Sequence, residues 1–467
     1  MSRTTTLVNT AFVLSAAFVL VSTGPVNAVA QPLPQLPSIG DILNPIVPAP
    51  NPPPMQGPVP PIVQAPSNGN GGVSISDQLY AQLLPSPVGD AFFDEWPTDL
   101  ASLGNGDIIG TPDDVTAVSQ GFFPAPGGVR VRQVKFKTTD SAGDNSFGTA
   151  TLVLPNNSWT GAGTRPLLVD EKPIDALGRA CTPGYTLRKG VNFATNQTDF
   201  LPPASQAAVL RNYAVLIPDH EGPRMSYAEP VVAGRITLDA VRAVQRLEPT
   251  FRNSPMVING YSGGAIATRG TALEVGTYAP ELAGNIKLAV MGGNPIDYEV
   301  LGSSMDGPAN LASGVFHGAT VGFMRSHREG FLEANNLALQ IATSPYKDFC
   351  IVGEGLVGTL IPTSALSNDG KPMDSDFART VFASLTALSQ RPSAVPLYVF
   401  NGAQEFWIPS EPVRRFARLQ CDQGVSVAYS EPFGEHLVGA ITAMPDQFLA
   451  IDEALQGSVP YDNCGRF

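Results

Sequence analysis

The sequence predicts an α/β fold, with a mostly parallel central sheet covered by helices on both faces. Three observations carry that expectation. Short runs at 165–170 (RPLLVD), 213–218 (YAVLIP) and 255–260 (PMVING) are almost wholly apolar, as strands buried on both faces must be. Helical patterns lie between and after them, as at 236–247 (ITLDAVRAVQRL), where apolar residues recur every three or four positions. Strands that alternate with helices build parallel sheets, because each crossover returns the chain to the same edge.

The first elements lie outside that sheet. Arg3 precedes an apolar run at 11–21 (AFVLSAAFVLV), and Ala28-Val29-Ala30 offers a small-x-small cleavage site. Residues 1–30 therefore read as a signal peptide, because the run is shorter than the roughly 20 residues a spanning helix needs. No cysteine follows the cleavage site to carry a lipid, and no later run is long and apolar enough for a stable transmembrane anchor. Residues 31–72 form a Pro/Gly-rich linker. Thirteen prolines between 31 and 66 remove backbone donors and favour extended chain, and Asn68-Gly69-Asn70-Gly71-Gly72 adds a joint. Such a segment is expected to be disordered, a stiff spacer or a tether to a cell wall.

The folded domain is expected over 73–467. Residues 129–138 (VRVRQVKFKT) alternate apolar and polar side chains as a half-buried strand does, and 148–154 continues that layer. Next come the buried strands 165–170 and 213–218, then the helix 236–247, which Pro249 closes. Strand 255–260, a helix from Ala265 and strand 286–291 follow. From 297 to 392 the alternation stops and amphipathic helical segments take over, as in an inserted helical cap; a plain structural insertion is the alternative. Strands at 396–400 and 425–429 complete the sheet.

Composition narrows the function. With 28 basic against 41 acidic residues, the formal charge of -13 excludes a nucleic-acid partner, because phosphate binding needs a basic face. Charged residues make up 15% of the chain, where about a quarter is usual, which suits an apolar substrate surface or a large core. Cys181, Cys350, Cys421 and Cys464 in an exported chain imply two disulfides, with three connectivities open. None has CxxC spacing, which argues against metal or redox roles.

Gly260-Tyr261-Ser262-Gly263-Gly264 matches G-x-S-x-G. The pattern is weak alone, and a glycine-rich turn without catalysis is its bland reading. Its context is specific: a strand precedes it and a helix follows, so Ser262 sits at a strand-turn-helix elbow of the α/β-hydrolase kind. The turn exposes the hydroxyl, and the N–H of Gly263 points where an oxyanion would form. A serine hydroxyl needs a base held by an acid, and the chain order in such a fold is Ser, acid, His. Of the four histidines, His436 alone lies beyond the insertion; His220 precedes the serine, and His317 and His327 fall within 297–392. The loop after strand 396–400 contains Glu405 as its carboxylate, with Glu411 as the fallback. Asp219-His220-Glu221-Gly222 could bind a metal or supply a second base. A structural hydrogen-bond cluster is the better reading, because no Cys or His partner stands at ligand spacing.

At these residues the chain resembles the fungal-type secretory lipase family (yeast lipase A-like), an α/β-hydrolase family. The shared motifs include DLASL at 99–103, PDHEGP at 218–223, GYSGGA at 260–265 and Glu435-His436-Leu437. The resemblance implies a secreted hydrolase that cleaves carboxylic esters of lipids, triacylglycerols included, through an acyl-enzyme. It implies Ser262 as nucleophile and His436 as base, and it puts Glu405 where the family has an aspartate. Asp175, six residues before Cys181, would join Gly263 in the oxyanion hole. It also implies disulfides Cys181–Cys350 and Cys421–Cys464 and a cap guarding an acyl-chain tunnel. No cofactor and no metal is implied; the partner is a lipid ester at an apolar interface. An acyltransferase, a short-chain esterase and a non-catalytic wall-binding protein are the rivals.

Overall fold

The central sheet has nine strands in the order β1-β2-β3-β5-β4-β6-β7-β8-β9. They are β1 (Asp113–Asp114), β2 (Val129–Thr139), β3 (Asn145–Pro155), β4 (Leu167–Glu171), β5 (Ala214–Pro218), β6 (Met256–Tyr261), β7 (Ile286–Gly292), β8 (Leu397–Phe400) and β9 (Val427–Ser430). Pairing is antiparallel from β1 through β3 to β5 and parallel for the rest. This is the α/β-hydrolase fold. The computed structural model describes residues 46–51, 75–196, 203–306, 310–459 and 461–467. The signal peptide expected at 1–30 and most of the linker expected at 31–72 lie outside the described residues.

Strands β4, β5 and β6 are buried along their whole length, which is why they read as almost wholly apolar runs; Asp170 and Glu171 of β4 and Asn259 of β6 are the buried polar exceptions. Alternate side chains feed two cores. Met256 and Ile258 of β6 join the layer under the helices Pro230–Leu247 and Gly263–Tyr278, whereas Val257 and Tyr261 join the layer on the other face. Numbered in chain order, the long helices are α1 (Ile75–Leu83), α2 (Pro230–Leu247), α3 (Gly263–Tyr278), α4 (Tyr298–Met305), α5 (Leu311–Ser326), α6 (Asn336–Thr343), α7 (Ile351–Gly358), α8 (Asp376–Ser389), α9 (Ser410–Asp422) and α10 (His436–Leu455). Helices α2 and α3 cross backbone to backbone, since a Cβ on Gly270 would lie 1.8 Å from the Pro230 carbonyl oxygen.

Helix α2 starts six residues before the expected 236. Pro230 opens it, and the Glu229 carboxylate accepts from the Val232 N–H at 2.5 Å, so the cap lies upstream of the apolar periodicity. Strand β9 starts at Val427, two residues later than expected, because Val425 still closes the turn after α9 through its N–H to the Gln420 carbonyl. Helices α4 to α8 fill the chain between β7 and β8. Among the described residues, pairing there is one isolated bridge between Ala334 and Ser367. Two disulfides are formed, Cys181–Cys350 and Cys421–Cys464, each with a Cα–Cα distance of 5.6 Å. Within the linker range, the carbonyls of Val47 and Pro48 accept from the side-chain amides of Asn336 and Gln340 on α6 at 3.1 and 3.0 Å. Among the described residues no helix is long and apolar enough to cross a membrane.

Candidate active site

Strand β6 lies at the middle of the parallel part of the sheet, with Gly260 opposite Glu171 of β4 on one side and Met291 of β7 on the other. Its carboxyl end therefore opens above the centre of the molecule. The chain turns there through Ser262, whose φ of 55° and ψ of -120° are strained for a residue with a side chain. The turn is held by the Ser262 N–H, which donates to the Gly292 carbonyl at 2.9 Å, and by the start of α3 at Gly263. Both motif glycines are sterically required. A Cβ at Gly260 would lie 2.1 Å from the Gly264 carbonyl oxygen, and one at Gly264 would lie 2.1 Å from that of Glu171.

His436 reaches the serine from the first residue of α10, and Glu405 comes from the loop after β8. His436 Nε2 lies 2.9 Å from Ser262 Oγ, and its Nδ1 lies 2.8 Å from Glu405 Oε2. The structure thus brings together three residues spread over more than 170 positions of sequence. The Glu405 side chain is fully buried, and its second oxygen, Oε1, accepts from the N–H groups of Trp407 at 3.0 Å and Ile408 at 3.3 Å. Two aromatic rings flank the imidazole. Trp407 is 5.8 Å away between centroids, and Tyr261 is 5.2 Å away and donates its hydroxyl to the His436 carbonyl. Burial raises the Tyr261 hydroxyl well above the ordinary tyrosine range, so it stays a proton donor there. Glu411 is exposed in the first turn of α9 and pairs with Arg414 at 3.4 Å.

The other two expected residues touch each other. The Asp175 carboxyl packs against the backbone of Gly263, where a Cβ would meet its Oδ1 at 2.0 Å, and it interacts with the Gly263 N–H and the Tyr227 hydroxyl. Burial raises the Asp175 carboxyl above the ordinary carboxylate range, against the pull of Tyr227, His436, His220 and the Gly263 N–H. Asp175 has a φ of 44°, so its backbone is strained as well. The elbow and the Asp175 loop thus face one small volume lined by a hydroxyl, an imidazole, a buried acid and a main-chain donor. That set fits acyl transfer through a covalent serine intermediate.

Residues 219–222 lie beneath this site. His220 Nδ1 is 3.0 Å from Glu171, and Asp219 accepts from Thr149 Oγ1 at 2.6 Å and from the Gly184 N–H at 2.7 Å. Among the described residues no group of three His, Cys, Asp or Glu side chains is arranged to hold a metal ion. Sequence reasoning missed Tyr227 and Trp407. Trp407 carried a signal, since it stands two residues from Glu405, whereas Tyr227 meets Asp175 from a loop with no periodic pattern.

Comparison with known proteins adds a family. Residues 188–340 match the family model described as "Secretory lipase". Lipase A of Moesziomyces aphidis is 24% identical over 400 residues, covering 82% of this chain and 83% of the relative. A secreted triacylglycerol lipase of Malassezia furfur is 25% identical over 419 residues, covering 84% and 86%. Among solved structures, Candida antarctica lipase A in its closed state superposes with a TM-score of 0.71 at 22% identity, covering 82% of this chain and 90% of that one.

Proposed function

We propose that the chain is an exported hydrolase of lipid esters of the secretory lipase kind, a reading supported by the family match over 188–340 and by its lipase relatives, and that its residues carry the reaction as follows. Ser262 Oγ attacks the ester carbonyl while its proton passes to His436 Nε2. Glu405 holds the imidazole by its Nδ1–H and balances the positive charge that forms. The tetrahedral oxyanion forms against the Gly263 N–H. The Asp175 carboxyl, packed against Gly263, holds that turn and flanks the oxyanion. His436 then protonates the leaving alcohol, and water repeats the sequence to free the acid.

What supports this reading above all is the unbroken chain from Glu405 through His436 to Ser262, at 2.8 and 2.9 Å. Substrate class rests on a second observation. Helices α4 to α8 form a cap over 297–392 in this reading, and α4, α5, α6 and α8 line a largely apolar cavity that none of Ser262, Glu405 and His436 borders. Tyr298, Phe316, Phe323, Met373, Phe377 and Val381 line it, as an acyl chain requires. Triacylglycerols, the substrate named for the Malassezia furfur relative, fit such a site. The linker at 31–72 would act as a stiff spacer, with a cell-wall tether as the alternative.

A fluorophosphonate probe followed by peptide mass mapping tests the mechanism. The adduct is expected on Ser262 and is expected to vanish in Ser262→Ala. An adduct on another residue would overturn the assignment. Rates on nitrophenyl esters from acetate to stearate, with and without glycerol, test the class: long acyl chains should be preferred, and free acid should remain the main product.

A further inference from the structure

Arg325 lies near the end of α5, in the insertion between β7 and β8, and is completely buried. Its guanidinium serves five main-chain carbonyls. Nε donates to Leu83 at 2.9 Å; Nη1 donates to Leu177 at 2.8 Å, Met225 at 3.1 Å and Arg224 at 3.2 Å; Nη2 donates to Lys347 at 2.8 Å. A buried charge satisfied by carbonyls rather than by a carboxylate is costly to keep, and packing alone would be met by a leucine or methionine. The acceptors show what the cost secures.

Leu177 stands two residues after Asp175. Met225 stands two residues before Tyr227, whose hydroxyl interacts with the Asp175 carboxyl. One guanidinium therefore ties down both the loop that carries Asp175 and the loop that carries its hydroxyl partner. Both loops are strained. Asp175, Met225 and Ala228 have φ values of 44°, 51° and 67°, and with Ser262 they make up four of the five positive-φ residues other than glycine among the described residues. Strained backbone of this kind persists where its surroundings over-determine it. We infer that Arg325 is a positioning residue for the oxyanion side of the site, a role that rests on the serine-hydrolase reading above. The inserted helices thus hold the catalytic loop from behind as well as roofing the cavity.

The test compares Arg325→Lys and Arg325→Met with the unaltered enzyme. Active sites are counted by fluorophosphonate, so that misfolded protein drops out of the rate. Lysine has three donors on one point charge and cannot serve five acceptors in a plane. Both variants are expected to lose at least about tenfold in kcat per titrated site on a soluble short-chain ester, with KM changed less than about threefold. A trifluoromethyl ketone probes the oxyanion side directly, because attack by Ser262 turns its carbonyl oxygen into the anion, with the serine proton on His436. Its inhibition constant should rise by the same factor as kcat falls. If Arg325 serves folding alone, the melting temperature and the number of sites fall while kcat per site and that inhibition constant stay put, and the inference is overturned. Should neither variant fold, Tyr227→Phe carries the decision, because it cuts the link to Asp175 without removing a buried charge. An unchanged inhibition constant in Tyr227→Phe also overturns it. Failure of the underlying reading would look different, since the unaltered enzyme would not be labelled at Ser262.

Discussion

Glu405 is one methylene longer than the aspartate that the family resemblance places at its position, and that length is used. Its Oε2 meets His436, and its Oε1 at the same time accepts two backbone N–H groups of its own loop, from Trp407 and Ile408. An aspartate is shorter by about 1.5 Å, one carbon–carbon bond. At this position it could satisfy the loop or the imidazole, not both. Glu405→Asp should therefore lower kcat on a soluble ester by about ten- to a hundredfold, with KM little changed. Glu405→Gln keeps the length and loses the charge, so the imidazolium is uncompensated and the tautomer is no longer enforced; about 10³- to 10⁴-fold should go. Both are read as kcat per fluorophosphonate-titrated site. A Glu405→Gln enzyme within tenfold of the unaltered one would mean that the acid lies elsewhere, and Glu411 would be next to mutate.

At the scale of elements, the two disulfides do different work. Cys181–Cys350 spans 169 residues and joins the stretch after the Asp175 loop to the start of α7, whereas Cys421–Cys464 spans 43 and fastens the C-terminal segment to α9. Loop-closure entropy alone makes the longer bridge worth about 1 kcal/mol more than the shorter one, on a base of about 2–4 kcal/mol each. The paired Ser substitution at 181 and 350 should lower the melting temperature more than that at 421 and 464. It alone should also slow acylation, because it frees the Asp175 loop. Equal slowing in both variants would contradict that division. The elements also differ in how far the sequence discloses them. The parallel strands were legible because burial on both faces leaves few polar positions, Asp170, Glu171 and Asn259 among them, and the meeting of Ser262, Glu405 and His436 because chain order reduces the candidates to a few. The swapped neighbours β5 and β4 were not, since both strands are equally apolar and pairing partners leave no mark in composition. Arg325 was the least legible of all. Its acceptors are carbonyls, which any residue supplies, and they lie 242, 148 and 100 positions away at Leu83, Leu177 and Met225.

The whole molecule buries an unusual amount of acid, and this fixes how its stability must vary with pH. Glu171, Asp175, Glu221 and Glu354 are all raised by burial, and Asp219 is pushed up to about 6 by the same cause. Asp175 and Glu354 each reinforce the effect at Glu221, because three carboxyls share that region. A carboxyl raised in the folded state keeps its proton where the unfolded chain has already lost it. The stability it contributes is full below the unfolded value and is lost as pH rises through the folded one, at about 1.4 kcal/mol per pH unit per group. Shifts of the opposite sign lie on both sides of that range. Burial depresses Lys135 to about 8, so this lysine costs the fold stability as pH falls from its ordinary value of 10.5 to about 8. Burial depresses His317 to about 4, so it destabilises the fold as pH falls from about 6.5 to 4. At Asp90, Lys189, the Phe92 N–H and Arg188 outweigh burial and lower the carboxyl, and its stabilisation disappears only below the ordinary value of 3.8. Asp219 loses its contribution by about pH 6, and Glu221 and Glu354, raised well above the ordinary value, carry the slope beyond that until Lys135 opposes them near pH 8; the net charge of -13 adds repulsion in the acids' direction. The melting temperature should peak on the acid side of neutrality and fall from there toward pH 8. Glu354→Gln, which cannot ionise, should melt higher than the unaltered protein at pH 9 and nearly with it at pH 5. A melting temperature that stays flat or climbs from pH 6.5 to 8 would show that these carboxyls ionise at no cost to the fold.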